Sequence, residues 1–457
     1  MVTEVGASYE KILAEIDDSG AKKIKVAIAD LDGILRGKFI HIKKFKSALK
    51  NGFGFCNVVF GWDSSDVCYD NVSYTGWHTG YPDADVRLDL SSCRRIPWDE
   101  ENWFFLGDFV QADGSPLAVC PRQLLKRVLK ISDTMGYKPR VGCEFEWFNF
   151  DETPASLAQK DFSTVTPLTP GMYGYSLLRS GMRRDFFNDL IDMMEDYEIP
   201  LEGLHTETGP GVYEAAICNS DALEAADRAI LFKAGVKEIA HLHGIVASFM
   251  ARWNASLPGC SGHIHQSIED GQGKNLFFDS GDKYNMSATF RSYLAGQIKF
   301  LPELTLMLAP TVNSYKRLVE GYWAPTRANW SIDNRTCALR VIATKESATR
   351  VEVRVPGADM NPYLGVAATL AAGLSGVKNH LTLGQEMVTG SGYKDEKSQK
   401  LPTNMLDAIK MFRESELAKE WFGETFVQHY AASREWEWQQ SQKVVTDWEL
   451  KRYFEII

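Results

Sequence analysis

The sequence lacks the features that mark secreted, membrane-bound or nucleic-acid-binding proteins. It has no apolar run long enough to span a bilayer and no apolar signal-peptide core after its first residue. Its eight cysteines are dispersed and form no C-x-x-C pair, which favours reduced thiols over disulfides or a zinc site. A net charge of −10 argues against a polyanionic partner. We therefore predict a cytoplasmic protein that binds neither nucleic acid nor membranes.

The common nucleotide-binding loops are also missing. There is no G-x-x-x-x-G-K-[S/T] sequence and no convincing G-x-G-x-x-G, so any nucleotide would be held by neither a P-loop nor a Rossmann turn. Low-complexity tracts and internal repeats are absent as well. With 457 residues, 44% of them hydrophobic, the chain is long enough for a large core and at least two domains.

The local patterns predict a mixture of strands and helices. Asp32-Gly33 lies between two β-rich runs and predicts a hairpin. Residues 51–85 are rich in glycine, aspartate and aromatic residues, and predict a long ordered loop with a functional role. A strand is predicted over 141–150, and helices over 121–135, 181–196, 221–243, 286–300, 363–377 and from 403 onward. Pro121 suits a first helical turn, and Asp221 suits an N-cap.

An arginine-rich segment, residues 313–356, is the most unusual part of the chain. It contains six arginines: Arg317, Arg327, Arg335, Arg340, Arg350 and Arg354. On a strand, Arg350, Glu352 and Arg354 would face the same way. Two guanidinium groups around one carboxylate suit a phosphate and a metal ion, although an isolated R-x-E-x-R is more often an exposed strand face with ion pairs.

Two pairs of acidic residues lie upstream. Glu144 and Glu146 are two residues apart in a strand, so both face one way and repel each other unless a cation lies between them. Glu207 and Glu214 flank a Gly-Pro-Gly turn that allows the chain to fold back. An exposed strand face and a surface turn are the alternative interpretations of these two pairs.

The remaining motif, S-G-H-I-H-Q-S, spans residues 261–267. Its histidines, His263 and His265, share one strand face, an arrangement that is structural more often than metal-binding. Combined with the four upstream carboxylates and Glu352, however, the motif completes a ligand set suited to two hard divalent ions, Mg²⁺ or Mn²⁺.

Taken together and in this order, the four motifs resemble those of the glutamine synthetase family in its bacterial type I form, over nearly the whole chain. The resemblance implies an α+β fold, with a small N-terminal β-grasp domain over 1–112. A catalytic domain over 113–457 would contain an antiparallel sheet surrounded by helices. It also implies an ATP-dependent ligase that joins L-glutamate to an amine through γ-glutamyl phosphate. The expected assembly is a homo-oligomer, a dodecamer of two hexameric rings with active sites between subunits.

The resemblance assigns a role to each matched residue. Two or three Mg²⁺ or Mn²⁺ ions would be bound by Glu146, Glu207 and Glu214 at the glutamate side and by Glu144, His263 and Glu352 at the ATP side. ATP would contact His265, Ser267, Arg340 and Arg350, and the glutamate substrate would contact Gly259. The catalytic groups would be Arg317, Arg335, Arg340, Arg354, Glu207 and Asp63. Asp63 would reach the active site of the neighbouring subunit.

The sequence departs from the family at the flap over the site. Ammonia-using members have G-Y-E-A-P there, whereas this chain has Trp323 at the position of the acid. Ammonium needs anionic partners to leave water, and an indole offers only a ring face. Glu320 replaces a proline that is common in the family. The 53–81 loop is rich in aromatic residues, of which Trp62 and Trp77 are the first candidates for lining an acceptor pocket.

We therefore predict that the acceptor is a primary amine with an apolar substituent, a small alkylamine or an aromatic amine, used in amine catabolism. Asp63, Glu207 and Glu320 are candidate bases for an alkylammonium. Two alternatives remain. In the first, Trp323 only packs and the enzyme is an ammonia-using glutamine synthetase. In the second, the chain is a non-catalytic, lengsin-like scaffold, although a scaffold would have no need to keep the complete ligand set.

Overall fold

A computed structural model describes residues 2–457, with side chains from residue 10 onward. The strands are β1 Lys23–Ala29, β2 Leu35–His41, β3 Phe53–Cys56, β4 Asp83–Leu88, β5 Arg94–Ile96, β6 Asn102–Val110, β7 Lys138–Phe150, β8 Leu201–Thr206, β9 Val212–Ile217, β10 Ser220–Asp221, β11 Val246–Ser248, β12 Gly262–Glu269, β13 Trp330–Ile332, β14 Leu339–Ile342 and β15 Arg350–Val353. The helices are α1 Val2–Asp18, α2 Ile42–Asn51, α3 Pro121–Thr134, α4 Pro154–Gln159, α5 Leu177–Met182, α6 Arg184–Asp196, α7 Ala222–Leu242, α8 Ala288–Leu308, α9 Ser314–Arg317, α10 Pro362–Lys378, α11 Met405–Glu414, α12 Glu416–Phe422, α13 Glu424–Gln442 and α14 Asp447–Tyr453.

These strands form two sheets, as the predicted α+β fold requires. The first has the order β2-β1-β6-β4-β3, with β5 added to β6, and uses only residues 23–110. The second has the order β13-β14-β15-β12-β7-β9-β8, with β10 and β11 also paired to β7. The predicted division of the chain between residues 112 and 113 stays a prediction. No helix within residues 2–457 combines the length and apolar character needed to cross a membrane.

The predicted β1–β2 hairpin is confirmed. The two strands pair antiparallel from Lys23 opposite His41 to Ala29 opposite Leu35. Gly33 supplies the positive φ of +74° that the turn requires. The turn is fixed by the Asp30 carboxylate, whose Oδ1 accepts hydrogen bonds from two backbone N–H groups of the turn at 3.0 and 2.8 Å.

Two local predictions were wrong in part. Residues 51–85 are not one loop, because β3 pairs antiparallel with β4, which leaves the loop at 61–82. The partner strand is about thirty residues away, so nothing local to Phe53 marked the pairing. Asp221 does precede α7, but its carboxylate accepts from Arg140 Nη1 at 2.9 Å and caps no helical N–H. Pro121 begins α3 as predicted.

Strand β7 shows how the second sheet separates its core from its polar face. Phe145 and Trp147 are fully buried and pack against Phe232 of α7, with ring centroids 6.2 and 5.6 Å apart. Burying such aromatic side chains contributes about 1.5–3 kcal/mol each. The period of two then directs Glu144 and Glu146 to the opposite face, as predicted.

Helix α13 binds the C-terminal end of the chain to the N-terminal half. Arg434, which is buried, donates to Asp32 Oδ1 at 2.6 Å and to the hydroxyl of Tyr69 at 3.3 Å. His429 Nε2 lies 2.8 Å from the carbonyl oxygen of Phe60. The 61–82 loop is therefore held in place by a helix more than 300 residues further along the chain.

Candidate active site

The register of four neighbouring strands brings one set of predicted residues together. Glu144 on β7 lies opposite His263 on β12. On the other side of β12, His265 lies opposite Glu352 on β15, which in turn lies opposite Arg340 on β14. Side chains on one face of neighbouring strands are within reach of each other. Residues up to 208 positions apart in sequence thus share one polar face.

Three ligand atoms converge on this face. His263 Nδ1 lies 2.9 Å from Glu144 Oε1 and 3.3 Å from Glu352 Oε1. Neighbouring ligands around an octahedral ion with bonds of about 2.1 Å lie about 3 Å apart, so the spacing fits Mg²⁺ or Mn²⁺. Two carboxylates and one imidazole are suitable donors for either ion. This group is the predicted ATP-side ligand set.

The protonation states also suit a cation. Burial, assisted by the Arg354 guanidinium, lowers the pKa of His263, which favours the neutral imidazole that a metal ion requires. Burial raises the pKa of Glu352, but His263, when its ring is protonated, and the Arg354 guanidinium outweigh this and lower the pKa to about 2. Arg340 Nη1 donates to Glu352 Oε2 at 2.8 Å, and Arg354 Nη1 donates to Oε1. The carboxylate is therefore ionised and fixed in orientation.

A second cluster lies on β8 and β9. His205 Nε2 lies 3.4 Å from Glu214 Oε1, and its Nδ1 lies 3.9 Å from Glu207 Oε2. Glu146 lies opposite Glu214 across the β7–β9 pair and accepts from the Ser261 N–H at 2.7 Å. The predicted ligands Glu207 and Glu214 are thus brought together, with Glu146 facing Glu214 from the next strand.

At the carboxyl groups of this second cluster, burial and mutual repulsion outweigh the nearby positive groups. Burial raises the pKa of Glu146 to about 7, and Glu207 adds to the shift while Arg317 opposes it. Burial likewise raises the pKa of Glu214 to about 7, opposed by the hydrogen bond with His205 and reinforced by Glu144 and Glu146. A divalent cation bound among them would offset both burial and repulsion. The donor set therefore fits the predicted second metal.

Two residues of this cluster were not identified from the sequence. His205 precedes Glu207 by two residues, and residues at this spacing in an extended segment face the same way. This spacing is the sequence feature that could have identified His205. Burial lowers the pKa of His205, but its hydrogen bond to Glu214 outweighs this and raises the value to about 9. Tyr175 stacks on the His205 ring with centroids 4.4 Å apart. No sequence pattern links residue 175 to residue 205.

The Gly-Pro-Gly turn performs the predicted reversal. The Glu207 N–H donates to the Val212 carbonyl oxygen at 2.9 Å and closes the loop. Gly211 has a φ of +69°, and a Cβ there would lie 2.4 Å from the carbonyl oxygen of Asn149. Glycine is required on both grounds. The tight turn is what brings Glu207, which directly follows β8, near Glu214 on β9.

The arginines surround the two clusters. Arg317 is buried and donates to Val355 O at 2.9 Å and to Ser261 Oγ at 2.8 Å. Gly259 packs directly against it, since a Cβ at residue 259 would lie 2.9 Å from Arg317 Cγ. Arg354 Nε donates to the carbonyl oxygen of Arg335 at 3.1 Å. This hydrogen bond fixes the backbone of the exposed Arg335 next to the buried side chain of Arg354.

A cleft of about 970 Å³ opens beside Glu144. Its walls include His265, Ser267 and Arg350, the predicted nucleotide contacts, and the loop at 345–349. Arg350 Nε donates to His265 Nδ1 at 3.1 Å, which orients both side chains. The volume is within the range of small-molecule sites. The cleft therefore offers space for a nucleotide next to the first ligand cluster.

The flap, residues 320–325, follows α9 in the chain. Gly321 and Trp323 have φ values of +84° and +61°, the second unusual for a bulky residue. Trp323 is 55% exposed, and Glu320 is also exposed. Tyr322 stacks on Arg252, whose Cζ lies 4.4 Å from the ring centroid. The Trp323 indole borders a second cleft of about 560 Å³.

The predicted N-terminal contributors have their contacts in the N-terminal half. Asp63 Oδ1 accepts from two backbone N–H groups of its own loop at 2.8 and 2.9 Å. Trp62 stacks on Arg36 at 5.1 Å, and Trp77, 77% exposed, packs on the edge of Tyr81. Their part in an acceptor pocket stays a prediction, because the resemblance places that pocket between subunits.

Comparison with known proteins agrees with this geometry. Residues 118–453 match the family described as the glutamine synthetase catalytic domain. The chain is 52% identical to type-1 glutamine synthetase 2 of Dictyostelium discoideum, over 98% of this chain and 86% of that protein. It is 38% identical to a glutamate–isopropylamine ligase of a Pseudomonas species, over 98% of both chains. A solved structure described as a GmaS/ADP complex superimposes with a TM-score of 0.85, at 28% identity, over 97% of this chain and 99% of that one.

Proposed function

Because this chain belongs to the glutamine synthetase family and is therefore an ATP-dependent carbon–nitrogen ligase, we propose that it joins the γ-carboxylate of L-glutamate to a primary organic amine. The observation that carries the proposal is Trp323, an exposed indole on the flap. We expect the acceptor to be a small alkylamine or an aromatic amine. The expected assembly is the dodecamer that the family resemblance implies.

The first step transfers a phosphoryl group. A γ-carboxylate oxygen of glutamate attacks the γ-phosphorus of ATP, ADP leaves, and γ-glutamyl phosphate forms. Arg317, Arg335, Arg340 and Arg354 are proposed to spread the charge of the transferring group. Divalent ions held by Glu144, His263 and Glu352, and by Glu146, Glu207 and Glu214, would supply further charge neutralisation.

The second step transfers the acyl group. The amine nitrogen attacks the γ-carbonyl carbon, inorganic phosphate leaves, and the nitrogen loses a proton. Asp63, Glu207 and Glu320 are the proposed bases for an alkylammonium. Trp323 offers a ring face instead of a carboxylate, which suits an apolar substituent or an arriving organic cation. The name of the Pseudomonas relative, a glutamate–isopropylamine ligase, supports an acceptor of this class.

An ammonia-using glutamine synthetase is the second candidate. It is favoured by the 52% identity to a protein named type-1 glutamine synthetase 2. In that case Trp323 would only pack, and ammonium would be held elsewhere. The two candidates differ in acceptor preference and share the phosphoryl-transfer residues.

An acceptor panel distinguishes the two candidates. ADP release would be followed with ammonium, methylamine, isopropylamine, benzylamine and aniline, with mass detection of the γ-glutamyl product. We expect faster turnover with at least one organic amine than with ammonium. In the variant Trp323→Glu, the preference should move toward ammonium by about tenfold or more in kcat/KM, because a carboxylate then faces the acceptor.

Phe162→Glu serves as the matched control, since Phe162 is an aromatic residue that is 72% exposed and lies outside the proposed site. Its acceptor preference should equal that of the unmodified protein. Faster turnover with ammonium than with every amine would overturn the proposal and support the second candidate.

A further inference from the structure

We propose that the substituent of the amine binds in the cleft between Trp323 and Met387, a subsite that selects apolar monoamines. We call this space the substituent cleft. Its volume is about 560 Å³, and its lining residues are Trp323, residues 331–336 and residues 387–390. The inference deepens the proposed function and rests on it.

Two walls of the substituent cleft are joined to each other by hydrogen bonds. The Val388 N–H donates to Trp330 O at 3.1 Å, and Ser331 Oγ donates to Val388 O at 2.8 Å. Further along, Asn334 Nδ2 donates to Gly390 O at 2.7 Å. These hydrogen bonds hold the segments that contain Ile332 and Met387 side by side. Trp323 of the flap forms a further wall of the substituent cleft.

The substituent cleft adjoins the place where phosphate is expected. Arg335, proposed to neutralise the transferring phosphoryl group, is one of its lining residues. The backbone of Arg335 is tied to Arg354 by the hydrogen bond at 3.1 Å. An amine nitrogen directed at γ-glutamyl phosphate would therefore leave its substituent on the side of Trp323 and Met387.

The size and charge of the substituent cleft define the ligand class. An ammonium ion needs about 30 Å³, the volume of a water molecule, whereas the substituent cleft is an open recess of about 560 Å³ with room for an organic substituent. Among the described residues that line it, Asp333 is the one with a carboxylate. That carboxylate already accepts from Arg340 Nε and Nη2 at 2.9 and 2.6 Å. A second ammonium group, as in a diamine, would meet the Arg335 cation and a carboxylate that is already paired with Arg340.

The test compares amines of increasing substituent size in the full-length protein. Met387→Ala and the similarly sized polar variant Met387→Gln would be assayed with methylamine, propylamine, benzylamine and 1,4-diaminobutane. In both variants, the ratio of kcat/KM for benzylamine to that for methylamine should fall about tenfold, because the lost contact grows with the substituent. In the unmodified protein, propylamine should be preferred to 1,4-diaminobutane.

Glu386→Ala is the control, because residue 386 is adjacent in sequence, 84% exposed at its side chain and outside the cleft lining. It should leave the ratio unchanged. An unchanged ratio in both Met387 variants, with organic amines still used, would overturn the subsite alone. A preference for ammonium over every amine would overturn the proposed function and the subsite together. A preference for the diamine would contradict the assigned ligand class.

Discussion

At the scale of single residues, Glu352 illustrates how much the site depends on matched charge. It is completely buried and lies between two guanidinium groups, those of Arg340 and Arg354. A buried charge is tolerated only when it is paired, and removal of one partner leaves the others uncompensated. The same carboxylate belongs to the first ligand cluster, so stability and the proposed metal site depend on one side chain.

We predict that Glu352→Gln lowers the free energy of unfolding by about 3–5 kcal/mol, because the buried Arg354 and the half-buried Arg340 lose their shared anion. Turnover should fall by about 100-fold or more, with a higher Mg²⁺ or Mn²⁺ concentration needed for half-maximal rate. Urea denaturation and metal titration of ADP release measure the two effects. Glu416→Gln, at a side chain that is 88% exposed, should change neither. An unaltered metal requirement would contradict the ligand assignment.

At the scale of elements, α7 carries an unusual lysine beneath the second sheet. Lys233 is buried, and its Nζ donates to Met360 O at 2.8 Å and lies 5.6 Å from the Phe145 ring centroid. Burial lowers the pKa of Lys233 to about 7. Between pH 7 and 10.5 the unfolded chain thus binds a proton that the folded chain does not bind. The contribution of Lys233 to the free energy of unfolding therefore rises with pH in that window and falls as the pH is lowered toward 7.

For Lys233→Met we predict that this dependence disappears. The unmodified protein should gain up to about 1.4 kcal/mol of unfolding free energy per pH unit between 7 and 9 relative to the variant. Chemical denaturation at both pH values measures the difference. Lys410→Met, at an exposed position on α11, should keep the slope of the unmodified protein. Parallel slopes for Lys233→Met and the unmodified protein would show that residue 233 does not titrate there.

Elements with a local period could be predicted from the sequence, and those that depend on distant pairing could not. The alternation around Glu144 and the glycines after Glu207 were sufficient to identify two acidic pairs. His205 was missed because its approach to Glu214 depends on the register between β8 and β9. Tyr175 was missed because a positive φ of +55° in an irregular segment directs it over His205, and no sequence period describes such a segment.

At the scale of the whole molecule, α13 joins the C-terminal part of the chain to the first hairpin and the 61–82 loop. Arg434 of that helix pairs with Asp32 of the first hairpin, and Trp436 packs on Tyr69 with ring centroids 5.4 Å apart. These contacts fix the 61–82 loop that carries Asp63. The loop proposed to serve an active site is therefore positioned by the C-terminal part of the chain.

We predict that Arg434→Met lowers the unfolding free energy by about 3–5 kcal/mol, because Asp32 loses its buried partner. Amide hydrogen exchange should accelerate in residues 61–82 more than in β7 or β12. Arg413→Met is the matched control, since the Arg413–Glu435 pair is about one-third exposed at both side chains and should contribute about 1 kcal/mol or less. Equal acceleration of exchange in every element would contradict a local role for Arg434.

The strand register that aligns Glu144, His263 and Glu352 has a consequence for how such an enzyme changes over generations. Those ligands are placed by backbone hydrogen bonds of a sheet, whereas Trp323 and Met387 lie in segments outside regular strands and helices. Under the proposed function, a mutation in these loops would change the acceptor, while the proposed metal ligands on the sheet would keep their positions. Phosphoryl transfer from ATP would therefore stay unchanged in a lineage in which the preferred amine changes.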